Sequence, residues 1–436
     1  MTERDTAPTV GVIGLGYVGL SYAVAFAAAG CTVVGCDVLT ARVAAINRGV
    51  SPLPDILPDA AVAAQVRAGR LTATTEDAPL AGCDVLIIAV PTPVNANYDP
   101  DLSMVRDATE RISRVLRRGQ LIILECTTYP GTTEEIVVPM VERAGYRIGE
   151  DVFVAYSPER IDPGNTNSQG WTLKNTPKVV GGCTPECTAR AMALYERMTE
   201  RVIPVSSPRV AEMEKLVENV FRVVNIALVD ELALLCDRMG LDVWEVLDAA
   251  ATKPYGFMRF VPGPGLGGHC IPVDPLYLTW KAKAYNFPTR FIELAVEIDR
   301  RMPYHVRDLV VRALNGQRKS VNGSRILLSG VAYKADVADT RETPAAALWQ
   351  LLTDDGATVS YHDPHVATFL APDGVVHAST ELTDEALRAA DCVVIVTDHA
   401  AVDYARVVAR TAAIVDTRNR TRGIPTGEGS AAITRL

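Results

Sequence analysis

The sequence predicts an α/β protein in which two doubly wound, parallel-sheet domains flank a helical middle built on one long central helix. Three observations predict it. Strand-like apolar runs alternate with helix-compatible stretches through the first 205 residues, and again after residue 324. Between them, apolar residues recur at helical spacing from Met213 to Leu235, with no Gly or Pro before Gly240. The 436-residue length also suits about three domains. We place them at 1–205, 206–314 and 315–436.

In order along the chain, Val10 to Ile13 reads as a strand, Gly14-x-Gly16-x-x-Gly19 as a turn, and Val18 to Ala29 as an Ala-rich helix stopped by Gly30. Cys31 to Cys36 is a second strand ending at Asp37. Val85 to Val90, Leu121 to Leu124 and Val152 to Tyr156 follow as strands. Ser206-Ser207-Pro208 supplies a cap and a first-turn proline for the long helix. Shorter helical stretches are expected up to residue 314, broken by the Gly/Pro-rich segment 262–275, and Asn315 to Ser324 reads as a linker. Arg325 to Gly330, Thr358 to His362, Cys392 to Thr397 and Ala412 to Val415 are the strands of the last domain, with a helix over Pro344 to Asp354.

Composition excludes several classes. Hydrophobic residues make up 48% of the chain, enough for buried cores, so global disorder is excluded. A net charge of −9 argues against partnership with nucleic acid or an anionic membrane surface. Nine scattered cysteines make no disulfide framework and no zinc-type spacing, so we expect a reducing, cytoplasmic setting and no metal. No leader or spanning segment is expected.

The glycine pattern opens a helix directly after a strand, where free backbone N–H groups and a positive dipole end suit a pyrophosphate. Asp37 ends the next strand, where its carboxylate can accept from the adenosine ribose and repel a 2′-phosphate. This favours NAD over NADP, an argument that nearby Arg42 softens. Cys270, at the end of the glycine loop in the run Gly263 to Asp274, is either a nucleophile or an incidental small residue in a flexible loop. Lys215 and Asn219, one helical turn apart, either steady an oxyanion or sit on a solvated face. Lys334 and Arg341 bring positive charge to the second domain's first helix entry, for a phosphate or simply for the surface. Thr92, Thr128 and Glu159 fall at C-terminal strand ends, where an open parallel sheet forms its crevice.

Taken together, the segments GVIGLGYVGL, AVPTP, ECTTYPGT, YSPER, EKLVEN, GPGLGGHCIPVD and YKADVADTRETP resemble the nucleotide-sugar 6-dehydrogenases, most closely the UDP-N-acetylhexosamine branch. The resemblance runs through nearly the whole chain. It implies two Rossmann-like domains, NAD as cofactor, a homodimer or larger homo-oligomer through the long helix, and oxidation of a sugar C6 alcohol to a carboxylate. UDP-glucose or a thymidine diphosphate sugar stays open beside UDP-N-acetylhexosamine. It further implies Cys270 as nucleophile, Lys215 and Asn219 on the oxyanion, Asp274 and Thr128 on water, and Glu159 as hydrolytic base. Gly14, Gly16, Tyr17, Val18, Asp37, Arg42, Thr92, Thr128 and Arg341 would contact cofactor. Glu159, Arg160, Lys215, Asn219, Phe260, Gly267 and Lys334 would contact substrate. Two other readings compete. A two-electron hydroxyacid dehydrogenase of the 6-phosphogluconate-dehydrogenase-like class would need neither the cysteine loop nor a second nucleotide-type domain. A non-catalytic NAD-binding scaffold would turn over no nucleotide sugar.

Overall fold

The structure is a computed structural model that describes residues 7–54, 56–95, 97, 99–160, 170–268, 273–427 and 429–436. Two compact units emerge: residues up to Glu218 with Leu276–Phe287, and Asn219–Pro275 with Pro288–Leu436.

The first unit is built on β1 (Thr9–Ile13), β2 (Thr32–Cys36), β3 (Leu71–Thr74), β4 (Val85–Ile88), β5 (Leu121–Leu124), β6 (Phe153–Tyr156), β7 (Lys178–Gly182) and β8 (Val202–Val205). They pair in the order β3-β2-β1-β4-β5-β6-β7-β8. The strands run parallel, as predicted, except that β6 and β7 pair antiparallel. The sequence reading missed β3, β7 and β8. The run of β7 ends in Gly181-Gly182, residues that ordinarily weaken a strand. Here they are needed because a Cβ on Gly181 would lie 2.1 Å from the Ser207 carbonyl oxygen. Strands β4, β5 and β6 are buried throughout, which matches their unbroken apolar runs.

The second unit carries β9 (Arg325–Ser329), β10 (Thr358–His362), β13 (Cys392–Ile395), β14 (Ala413–Asp416) and β15 (Ala432–Arg435), all parallel, in the order β10-β9-β13-β14-β15. A small antiparallel pair, β11 (Thr368–Leu370) and β12 (Val376–Ala378), stands apart.

The long helix runs from Pro208 to Met239, 32 residues or about 48 Å. The predicted run of shorter helices up to residue 314 needs correcting. Arg290–Gly316 is a second long helix with Pro303 inside it. Its buried stripe, from Ile292 and Ile298 through Met302, Val306 and Leu309 to Ala313, continues past the proline. Burial of that stripe outweighs the lost backbone hydrogen bond. Asn315 and Gly316 therefore close the helix and do not belong to the linker.

The two sheets share one device. Gly14 (φ +88°) follows β1 and Gly330 (φ +87°) follows β9. A Cβ at either would strike a carbonyl oxygen, that of Ala89 at 2.4 Å or of Thr397 at 2.6 Å. An acid ending the adjacent strand then holds each turn. Asp37 Oδ2 accepts from the Leu15 N–H at 2.8 Å, and Asp363 Oδ2 accepts from the Val331 and Ala332 N–H groups at 2.8 and 3.0 Å. His399, fully buried, places Nε2 3.0 Å from the same Asp363 oxygen. Burial opposes ionisation of Asp363, yet His399 and the two amides win and hold its carboxyl at about 2. A depressed carboxyl adds stability above its ordinary value and loses it as pH falls through the folded one. Asp363→Asn should thus cost about 2 kcal/mol near neutral pH, and progressively less between about pH 4 and pH 2. Urea unfolding of both forms across that range measures it; a pH-independent difference would refute the assignment.

Candidate active site

The glycine turn of the first unit fits a dinucleotide. Gly16 precedes the helix Tyr17–Ala28, and no side chain caps that helix start. No atom lies within 4 Å of where a Gly16 Cβ would stand, so the backbone there is open to a ligand. Tyr17 and Val18, in the first helical turn, are both partly exposed. A Cβ on Gly19 would fall 1.8 Å from the Gly14 oxygen, which is the close packing the motif requires.

Asp37 is buried at 5% exposure and already engaged. Besides Leu15 it accepts from the Leu39 N–H at 2.9 Å and pairs with Arg42 at 2.9 Å. Burial pushes against its charge, but the two amides and Arg42 hold the carboxyl below its ordinary value.

Thr92 and Thr128 are buried at the ends of β4 and β5. The Tyr277 hydroxyl donates to the Thr92 and Pro93 carbonyls, both at 3.0 Å. The Thr128 hydroxyl is buried with no hydrogen-bond partner among the described residues, as suits a group kept for a ligand. Glu212, on the long helix, fixes the turn beyond it. Its carboxylate accepts from the Gly131 N–H at 2.5 Å and from the Thr133 N–H and hydroxyl at 2.8 and 2.7 Å. The sequence reading passed over Glu212. The available signal was an acid at a helix position whose neighbours Ala211 and Leu216 are core.

Glu159 lies just beyond β6 and is partly buried. Arg160 is held by protein groups. Its Nε donates to Glu218 at 3.0 Å, its guanidinium lies 3.4 Å from Glu214, and it donates to the Pro177 carbonyl at 2.8 Å. It therefore ties the segment after β6 to the long helix. Lys215 on that helix is buried at 8% exposure.

In the second unit, Asn219 and Asp274 come together. The Asn219 amide donates to the Asp274 carboxylate, and both side chains are buried. Asp274 opens the helix Asp274–Lys283, where a carboxylate also meets the positive dipole end. Residues 269–272, Cys270 among them, lie outside the described residues.

The described part of the glycine-rich loop is anchored by groups that the sequence did not single out. The Gly263 N–H donates to Asp230 at 3.0 Å, and the Leu266 N–H to Asp299 at 2.6 Å. Burial pushes these two carboxyls up to about 8 and about 6. Gly268 donates to the Arg341 carbonyl at 3.0 Å. A Cβ on Gly267 would meet the Tyr333 side chain at 2.7 Å and the Glu342 carbonyl at 2.8 Å. Two motifs some 70 residues apart are thus one surface, with Lys334 beside it and Arg341 paired with Asp339 at 2.6 Å. Phe260 packs edge-on against Phe221, centroids 5.9 Å apart.

Among the described residues, Asp336, His365 and His399 form one cluster of metal-ligand type. However, His399 Nδ1 already accepts the Asp336 N–H at 3.0 Å and Nε2 meets Asp363, so the ring is spent on the fold.

Comparison with known proteins gives the family. The UDP-glucose/GDP-mannose dehydrogenase family matches in all three of its parts: the NAD binding domain over residues 8–199, the central domain over 209–301 and the UDP binding domain over 327–423. The chain belongs to the UDP-glucose/GDP-mannose dehydrogenase family. It is an NAD-dependent nucleotide-sugar dehydrogenase, and its relatives place it with the N-acetylhexosamine branch. The UDP-N-acetyl-D-glucosamine 6-dehydrogenase of Pseudomonas aeruginosa is 40% identical over 360 residues, covering 82% of this chain and 83% of that one. The UDP-N-acetyl-D-mannosamine dehydrogenase of Yersinia pestis is 38% identical, covering 90% and 93%. Among solved structures, a UDP-D-ManNAc dehydrogenase from Pyrococcus horikoshii superposes with TM-score 0.88 at 32% identity, covering 98% and 99%. No described helix is long and apolar enough to cross a membrane.

Proposed function

We propose that this dehydrogenase oxidises the C6 hydroxyl of a UDP-N-acetylhexosamine to the carboxylate in two successive two-electron steps. The observation that carries the reading is the buried Asn219–Asp274 pair at the start of the helix that follows the Cys270 loop. Such a pair suits chemistry at a reacting carbonyl, which a simple binding scaffold does not need. The names of the relatives, N-acetylglucosamine and N-acetylmannosamine dehydrogenases, supply the sugar class.

Gly14, Gly16, Tyr17, Val18, Asp37, Arg42, Thr92 and Thr128 would hold NAD, and Arg341 would lie near it. Bound NAD supplies the electron acceptor for each step. Cys270 adds to the C6 aldehyde and retains it for the second oxidation, since release would forfeit that step. Lys215 and Asn219 steady the oxygen of the resulting thiohemiacetal as charge develops on it. Asp274 and Thr128 position water, and Glu159 takes its proton during hydrolysis of the thioester. Arg160, Phe260 and Gly267 would shape the sugar site, and Lys334 would hold the diphosphate. We read the chain as a cofactor domain to residue 205, a helical middle to 314 and a substrate domain beyond.

The long helix exposes Val210, Met213, Val217, Phe221, Leu228, Leu232, Leu235 and Met239, one apolar stripe along its length. This supports a homodimer formed through that helix. The described cysteines are free thiols, which fits a cytoplasmic setting.

A panel of nucleotide hexoses and N-acetylhexosamines, followed by NADH absorbance, tests the reaction. The expected yield is two NADH per UDP-N-acetylhexosamine consumed. One NADH with aldehyde as the final product would overturn the four-electron reading.

A further inference from the structure

Glu212 joins two elements that each carry a residue of the proposed chemistry. It is fully buried on the long helix, three residues before Lys215. Positions three apart lie on one helix face, and here both side chains are buried. The other element is the turn 129–133, which follows Thr128 beyond the end of β5. Both elements, up to Glu218 of the helix, belong to the first unit. Glu212 Oε2 accepts the Gly131 N–H, and Oε1 accepts the Thr133 N–H and hydroxyl. Thr133 opens a short helical turn, Thr133–Val137, whose start has no side-chain cap from its own residue Thr132. Glu212 caps it from the long helix.

The turn is also held from its other side. The Tyr129 ring lies 5.1 Å from that of Trp280, and Lys281 donates to Glu135 at 2.6 Å. Gly131 sits at φ +106°, where a Cβ would come within 2.7 Å of the Glu135 carboxylate. What Glu212 adds is therefore the placement of the long helix on a turn already fixed. The nearby Arg209–Glu134 pair joins the same elements, but it is exposed, where an ion pair contributes little. A buried carboxylate bonded to neutral donors costs free energy that an apolar contact would not. In exchange, its two oxygens set direction as well as distance. A reacting group has to be held within about 0.5 Å of its working position, and a displacement of about 1 Å can cost roughly 10²-fold in rate.

We infer that Glu212 is a positioning residue that holds Lys215 in a fixed register with the Thr128 turn and acts on the rate through Lys215. This deepens the proposed function, since it rests on Lys215 steadying the oxyanion.

Steady-state kinetics of the full-length protein with NAD and a UDP-N-acetylhexosamine test this. Glu212→Gln keeps the shape of the side chain but turns one acceptor into a donor that faces a donor. It should lower kcat roughly 10- to 100-fold, with KM for both substrates within about threefold of wild type. Thr133→Val removes one of the three bonds and should lose less, whereas Thr133→Ser keeps the hydroxyl and should keep wild-type kcat. Because Glu212 acts through Lys215, adding Glu212→Gln to Lys215→Met should slow that variant no further. If Glu212→Gln does not fold, Thr133→Val combined with Lys215→Met makes the same comparison. Losses that multiply in the double variant, or wild-type kcat in both Glu212→Gln and Thr133→Val, would overturn the inference while leaving the role of Lys215 intact. Wild-type kcat in Lys215→Met would instead overturn the oxyanion reading itself.

Discussion

Replacing Cys270 with alanine is expected to abolish formation of the uronic acid, by roughly 10⁴-fold or more, the scale seen when a covalent nucleophile is removed. Without the thiol, the C6 aldehyde is not retained, so NADH yield should fall to one per sugar or below. Cys270→Ser sharpens the test. An oxygen ester hydrolyses far more slowly than a thioester, so the serine variant should accumulate sugar bound to the protein, seen as added mass in the intact chain. Acid formation by Cys270→Ala at the wild-type rate would exclude the covalent route.

The second large effect concerns Lys215. Removing one preorganised donor from an oxyanion site costs on the order of 10²–10³ in kcat, and Lys215→Ala should fall in that range with a smaller change in KM. The burial of Lys215 makes its ammonium worth more than one in water. It also means that the variant leaves Glu214 and Glu218 with Arg160 as their remaining nearby cation, so some stability should be lost along with rate. Lys215→Met preserves the aliphatic stem and separates the two effects. A methionine variant that unfolds at the wild-type temperature yet loses kcat locates the defect in chemistry. Equal loss of kcat and stability in both variants would refute the oxyanion role.

Much of the fold was legible because burial writes itself into a sequence in simple ways. Strands β4 and β5 are unbroken apolar runs, and the glycine turn with Asp37 carries its own steric logic. The long helix was readable from spacing and from the absence of Gly and Pro. Short strands were not: β3 is Leu-Thr-Ala-Thr and β7 ends in two glycines, neither of which outweighs a turn signal locally. The unbroken length of Arg290–Gly316 was not legible for the opposite reason, since tertiary burial of a continuous stripe carries the helix through a local breaker, Pro303. The candidate site was legible residue by residue, but not as an arrangement. Nothing in the spacing of Gly267 and Tyr333 says that they touch. Buried acids such as Glu125, Asp230 and Glu212 escaped notice because a carboxylate in a sequence looks alike whether it meets water or a backbone amide.

The ties of Asp37 have a consequence for any attempt to re-engineer coenzyme choice. Converting such an enzyme to NADP is usually imagined as deleting one negative charge to make room for a phosphate. Here that carboxylate also receives the Leu15 and Leu39 amides, one from each of the two turns that border the adenosine position in the proposed site. Deleting it would release Arg42 for a phosphate and, in the same act, loosen the loop that must grip the pyrophosphate. If Asp37 meets the ribose as proposed, selectivity and grip are a single trait in this chain. A working switch would require a second substitution that supplies acceptors for those two amides without restoring the charge.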